Sequence, residues 1–284
     1  MEIKQLQNLY AKLPQIGALA ESLENNQVKT IFLDGLLSSA APMVFSSLFT
    51  KYQSTVLFIL NDADEAGYFY HDLTQVMGED FVLYFPSSYR RAVKYGQRDS
   101  ANEILRTEVL SRLASDKKHL YVVTYPDAVG ELVVSRRNLD ERTVALRKDQ
   151  TADIMEIEKN LLALGFEEVD YVYEPGQFAI RGSILDVYSY SSEYPFRIDF
   201  FGDDIDSIRT FEVETQLSKD NKDSIEIVPE LNSSTVDKVS LMKFLPENTI
   251  VVYRDFLFVR DSIDQTYQDG FSNQAISERL ESAT

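Results

Sequence analysis

Gln177-Phe178-Ala179-Ile180-Arg181-Gly182-Ser183-Ile184-Leu185-Asp186-Val187-Tyr188, with Phe196-Arg197-Ile198-Asp199-Phe200-Phe201-Gly202-Asp203-Asp204 a short polar gap later, decides how this chain folds. Residues 177–181, 183–188, 196–201 and 207–213 are short runs of β-branched and aromatic side chains, which predicts antiparallel strands. Gly176, Ser191-Ser192-Glu193 and Gly202-Asp203-Asp204 mark the turns. Two more strands are predicted over 169–173 and 224–228. Side chains alternate across a strand, so Phe196, Ile198 and Phe200 share one face and Arg197, Asp199 and Phe201 the other. The first set makes a core face. The second is mixed, and Phe201 stands out on it as a large aromatic where solvent is expected.

Upstream of these strands, residues 151–164 carry Ile154, Ile157, Leu161 and Leu162 at helical spacing, with Gly165 placed to end the helix. Together they predict an α+β domain over 141–229. Before it, residues 1–140 alternate strand-like and helix-like segments, the pattern of a parallel sheet covered by helices. Strands are predicted over 28–33, 55–60, 81–85 and 119–124, and helices over 64–77 and 102–113. A helix opens at Tyr125-Pro126-Asp127. After the strand-rich domain, residues 230–284 offer a strand over 249–253 and a long helix-like run that stops without a capping signal, as expected of a piece cut from a longer protein. The expected fold class is thus α/β plus α+β: a parallel-sheet, P-loop-like (helicase-type) domain carrying an inserted antiparallel-strand domain.

Composition removes several chemistries. There are no cysteines, and His71 and His119 lie far apart in the sequence, so a thiolate nucleophile, a zinc site and a histidine-based triad are not expected. No catalytic residue, metal or cofactor is assigned. No apolar run reaches membrane-span length, and no basic, then apolar N-terminal signal is visible, so a cytoplasmic protein with no membrane partner is expected. The net charge is −18 and it is unevenly placed. Residues 1–140 hold 14 basic and 17 acidic side chains, whereas the remainder holds 14 and 29. That field repels phosphate backbones and argues against a broad nucleic-acid grip by the second half. It also serves plain solubility.

Gly35-Leu36-Leu37-Ser38-Ser39-Ala40-Ala41-Pro42 follows a predicted strand and precedes a predicted helix, the setting of a phosphate-binding loop. The chemistry of such a loop is gone. Ala40 replaces the second glycine, Ala41 the lysine and Pro42 the hydroxyl that would hold Mg²⁺, and proline also lacks a backbone donor. Gly35 on its own also fits an ordinary βα-loop glycine. Asn61-Asp62-Ala63-Asp64-Glu65 mimics the acidic end of a metal-holding strand, but it reads better as the acidic start of a helix. Gly202-Asp203-Asp204-Ile205-Asp206 lacks calcium-loop spacing and reads as a hairpin turn. Residues 84–98 are the basic, aromatic cluster of the chain. They could stack bases, or be a solvated loop.

The segment from Tyr173-Glu174-Pro175-Gly176 to Tyr188 resembles a segment of UvrB and of bacterial transcription-repair coupling factors, and Tyr194-Pro195-Phe196-Arg197-Ile198-Asp199-Phe200-Phe201 to Arg209 is similar to the stretch that follows it there. The ruined phosphate loop and the short interval from Phe85 to Asn102, with no long aromatic hairpin, resemble the coupling factors more than UvrB. The resemblance implies a UvrB-like module that has lost ATP binding and damage probing but kept a docking domain for UvrA. It implies domain 1a over 1–140, domain 2 over 141–229 and the start of domain 1b over 230–284. It assigns the UvrA contact to Arg181, Arg197 and Phe201. RNA polymerase and DNA would be met by later domains of an ATP-dependent DNA translocase, outside this chain. The alternatives are a UvrB-type ATP-dependent damaged-DNA-binding enzyme, which needs a lysine at Ala41, and a small-molecule-binding α/β domain. Arg181 and Arg197 could also simply pair with Asp199 or other acids of the surface.

Overall fold

The computed structural model describes residues 3–25, 27–89, 99–115, 119–231 and 237–270. In chain order its elements begin α1 (Ile3–Ala11), α2 (Pro14–Glu24), α3 (Ala40–Phe49), β1 (Val56–Ile59), α4 (Ala63–Met77), β2 (Val82–Tyr84), α5 (Ser100–Ala114), β3 (Tyr121–Thr124) and α6 (Pro126–Gly130). They continue β4 (Leu132–Val134), α7 (Arg136–Arg142), β5 (Val144–Arg147), α8 (Ile154–Ala163), β6 (Glu167–Glu168), β7 (Gln177–Arg181), β8 (Ile184–Val187), β9 (Phe196–Phe201) and β10 (Asp204–Phe211). The rest are β11 (Ser218–Lys222), β12 (Ser224–Ile227), β13 (Lys238–Ser240), α9 (Leu241–Phe244), β14 (Ile250–Tyr253) and α10 (Phe256–Gly270). The chain divides into two compact units: 1–95 with 116–131 and 240–284, and 96–115 with 132–239.

The first unit is built on a sheet of order β14-β1-β3-β2, parallel at every pairing. Val56, Leu57, Phe58 and Ile59 are all buried, as a central parallel strand flanked by helices requires. Phe58 packs edge-on against Phe45 and Tyr121, which ties α3 to the sheet. The Tyr121 hydroxyl donates to the Phe45 carbonyl at 2.9 Å, and burial holds its phenol well above the ordinary pKa, so it stays neutral. Asp62 caps α4 by accepting from the backbone N–H groups of Asp64 and Glu65, both at 2.9 Å. The acidic run is therefore a helix start, as its sequence predicts. β14 comes from the far end of the chain and lies in register with β1, Val56 against Ile250.

One predicted strand is absent. Residues 28–37 have no regular secondary structure, and Phe32 is 86% exposed. The apolar run 28–33 has strand propensity, but both hydrogen-bonding edges of β1 are already taken, by β3 and by β14. The strand–loop–helix frame of a phosphate loop is thus reduced here to a loop and a helix, beside a parallel sheet with covering helices.

The second unit carries a six-stranded sheet of order β11-β10-β9-β8-β7-β6, antiparallel except for the β6–β7 pairing. Its inner face sets Phe178, Leu185, Val187, Ile198, Phe200, Ile205 and Ile208 against Ile157 and Leu161 of α8. Gly165 ends that helix at a φ of +91°, a conformation glycine adopts without a Cβ penalty. Gly202 at +63° makes the β9–β10 hairpin turn. The predicted strand 169–173 is not formed. The edge of β7 it would take is held by the earlier two-residue β6, and Val172 is instead buried among Phe211 and Ala179. The predicted strand 224–228 exists as β12, but it pairs with β5 rather than joining the sheet.

Candidate functional site

The outer face of the six-stranded sheet holds the three positions expected to dock a partner. Registration places Asp186 of β8 opposite Arg197 of β9, and Arg197 opposite Arg209 of β10. A register shift between Ile205 and Ser207 turns Ile208 to the core and Arg209 outward. Arg197 grips Asp186 with both ends of its fork, Nε to Oδ1 at 2.7 Å and Nη2 to Oδ2 at 2.8 Å. Arg181 reaches the same carboxylate through Nη2, and its Nη1 donates to the Asp170 carbonyl at 2.9 Å. Asp186 is fully buried. Arg209 pairs with Asp199, which also accepts from Ser207 at 2.8 Å.

This face is not simply wet. Phe211, Val172 and Ala179 form a small buried cluster on it, and the Arg197 guanidinium lies 4.4 Å from the centre of the Phe211 ring. The Arg181 guanidinium lies 5.1 Å from the Tyr171 ring, itself half exposed. The hydrogen bond to Asp186 holds the Arg197 pKa above its ordinary value against the opposing effect of burial. Arg209 Nε is buried with no hydrogen-bond partner among the described residues. Phe201, at the far end of β9, is 83% exposed. The structure therefore brings Arg181 and Arg197 together on one carboxylate and leaves Phe201 bare at the hairpin end.

In the other unit, Gly35 sits at a φ of +79°, and Ala40, Ala41 and Pro42 form the first turn of α3. A phosphate at a helix start needs free N–H donors and positive potential. Here the Ser39 hydroxyl donates to the Asp72 carboxylate at 2.7 Å, so the group beside this helix start is an anion. Glu65 accepts from the Asn61 N–H and pairs with Arg254 at 2.8 Å, which gives it a structural duty in place of a metal. Among the described residues no cluster of three His, Cys, Asp or Glu side chains could hold a metal ion, and no helix is long and apolar enough to cross a membrane. The basic part of the aromatic cluster, residues 90–98, lies outside the described residues. Before it, Ser87 and Ser88 are held by the buried Glu131 carboxylate, at 2.5 Å and 2.6 Å from their hydroxyls.

Residues 144–232 match the family model described as the UvrB interaction domain. The matched stretch opens on β5 and runs past β12, and these two strands pair with each other, Val144 against Ile227, so its two ends are sewn together. The chain is 29% identical over 208 residues to a transcription-repair-coupling factor of Haemophilus influenzae, covering 72% of this chain and 18% of that one. It is 27% identical over 199 residues to one of Staphylococcus haemolyticus, covering 70% and 17%, and 26% identical over 239 residues to one of Staphylococcus aureus, covering 82% and 20%. The chain is related to the transcription-repair-coupling factors. It spans about a fifth of the length of the curated relatives it matches.

Within this coupling-factor relative, sequence reading found the arginines but missed what holds them. Asp186 stands between Leu185 and Val187 in a core strand, and alternation places it outward, yet nothing in the sequence says that an outward residue is fully buried. Gln216, whose carbonyl and side chain both accept from Arg197, gave no signal at all. Phe211 was legible only as a strand residue.

Proposed function

We propose that this chain is the N-terminal, UvrB-like module of a transcription-repair coupling factor and that it recruits UvrA through the outer face of its six-stranded sheet. On this reading domain 2 covers residues 141–229, inserted between a domain 1a over 1–140, of degenerate helicase type, and the start of a domain 1b from 230. The module does no chemistry of its own. The parent protein would be an ATP-dependent DNA translocase that meets DNA and stalled RNA polymerase through domains outside this chain. The observation that carries the reading is the pair of arginines on one buried carboxylate, in the strongly acidic half of the chain, on a sheet face whose hairpin end exposes Phe201. Arginine and large aromatics are the usual anchors of protein interfaces, and a guanidinium fork suits a partner's carboxylate. A UvrB-type ATP-dependent enzyme is disfavoured by Ala41 and Pro42 and by Asp72 beside the α3 start.

The test is direct binding of UvrA to the chain, with Arg181→Gln, which adds no second carboxylate beside Asp186, and Phe201→Ala as the two probes. Both should weaken binding while leaving the circular dichroism spectrum unchanged. Full UvrA affinity in both variants would move the docking site elsewhere.

A further inference from the structure

Two arginines on the docking face share one anion, and they are not equally committed to it. We infer that Asp186 is a positioning residue that divides the labour between them: it fixes Arg197 as an internal strut and leaves Arg181 as the arginine that meets UvrA. This rests on the docking reading above.

Arg197 is spent. Its Nε and Nη2 serve Asp186, its Nη1 donates to the Gln216 carbonyl at 3.1 Å, and Nη2 also reaches Gln216 Oε1 at 3.3 Å. Its flat face covers Phe211, and only 16% of the side chain is exposed. Arg181 gives one N–H to Asp186 and one to Asp170, its side chain is 36% exposed, and its remaining donors have no partner among the described residues. The strut also shapes the loop between β10 and β11. Gln216 adopts a φ of +60°, uncommon for a residue with a side chain, and is held there by Arg197, by its own N–H to Glu212 and by Nε2 to Val213, both at 2.8 Å. Such strain persists only where neighbours over-determine it. In charge terms, Asp186 cancels one guanidinium and Asp199 cancels Arg209. Of these five charged side chains one positive charge is left over, and it lies in Arg181, placed for a carboxylate of the partner.

Ordering a long arginine on binding costs affinity, and a preset arginine avoids that cost. Asp186→Asn keeps the shape, removes the anion and leaves two uncompensated guanidiniums facing each other. Steering of an acidic partner is then kept or strengthened, and the bound complex is looser. The experiment is kinetic: UvrA association and dissociation with the wild-type chain, Asp186→Asn and Gln216→Gly, at two salt concentrations, with the binding-competent fraction measured for each. We expect Asp186→Asn to raise the dissociation rate about tenfold, with an association rate at or above wild type at low salt and an unchanged competent fraction. Gln216→Gly, which accepts its φ without strain and so folds, should raise the dissociation rate about threefold. A lower competent fraction with wild-type dissociation would make Asp186 merely structural and overturn the inference. If Asp186→Asn does not fold, wild-type dissociation by Gln216→Gly overturns it. A wild-type chain that does not bind UvrA removes the docking reading itself, whereas binding with unchanged variants removes only the role of Asp186.

Discussion

Arg197 and Phe201 sit four residues apart on one strand face and have opposite characters. Arg197 is mostly buried against Asp186, so Arg197→Glu sets a second carboxylate beside a fully buried one. Breaking a buried pair in this way costs about 3–5 kcal/mol. We expect a lower melting temperature and a lower urea midpoint for Arg197→Glu. Phe201 is bare, so Phe201→Ala should leave the folding free energy within about 0.5 kcal/mol of wild type. On the proposed docking its effect belongs to binding, where loss of an aromatic anchor should cost about 2 kcal/mol of UvrA affinity. A Phe201→Ala chain that unfolds early would place this ring in the core. One that binds UvrA normally would place it off the interface.

At the scale of elements, helix ends and close approaches decide what a substitution does. Asp62 satisfies two N–H groups at the start of α4, so Asp62→Ala should lower stability by about 1 kcal/mol, with or without Mg²⁺. Thermal melts in Mg²⁺ and in chelator check this, and a metal-dependent difference would restore a metal role to the acidic run. Gly130 ends α6 where α10 crosses it. A Cβ there would stand 2.8 Å from Thr266 Cγ2 and 3.2 Å from the Ile263 carbonyl. Backbone on one side and a β-branched side chain on the other leave little room to give, so Gly130→Ala should cost about 1–3 kcal/mol by overpacking. The same change at Gly67, where a Cβ meets nothing within 4 Å, is the control that should be neutral or better.

For the molecule as a whole, charge and the altered loop point the same way. Mg-ATP titrated into the chain should give no saturable heat, because the loop lacks a lysine and Asp72 stands at the helix start. Micromolar binding at Ala40–Pro42 would contradict this. With a net charge of −18, DNA binding at physiological salt should be weak, and any residue of it should fall steeply as salt rises. Lesion-selective binding that ignores salt would be incompatible with this account.

Local pattern determined much of this protein. Strand alternation in Phe196–Phe201 separated the core face from the outer face, the spacing of Ile157 and Leu161 gave α8, and Gly165 and Gly202 gave the places where chain direction changes. These follow from sequence because side-chain period and backbone freedom act over a few residues. Partner choice does not. The run 28–33 has the composition of a strand, yet β14, about two hundred residues away, fills the remaining edge of β1. Residues 224–228 form a strand, but its partner is β5. The pairing of Arg181 and Arg197 on Asp186, and the strained Gln216 behind them, exist only because three strands and a loop converge. Sequence named the charges on the outer face. Only tertiary structure decided which of them neutralise one another, since that depends on burial and on distances that no local pattern encodes.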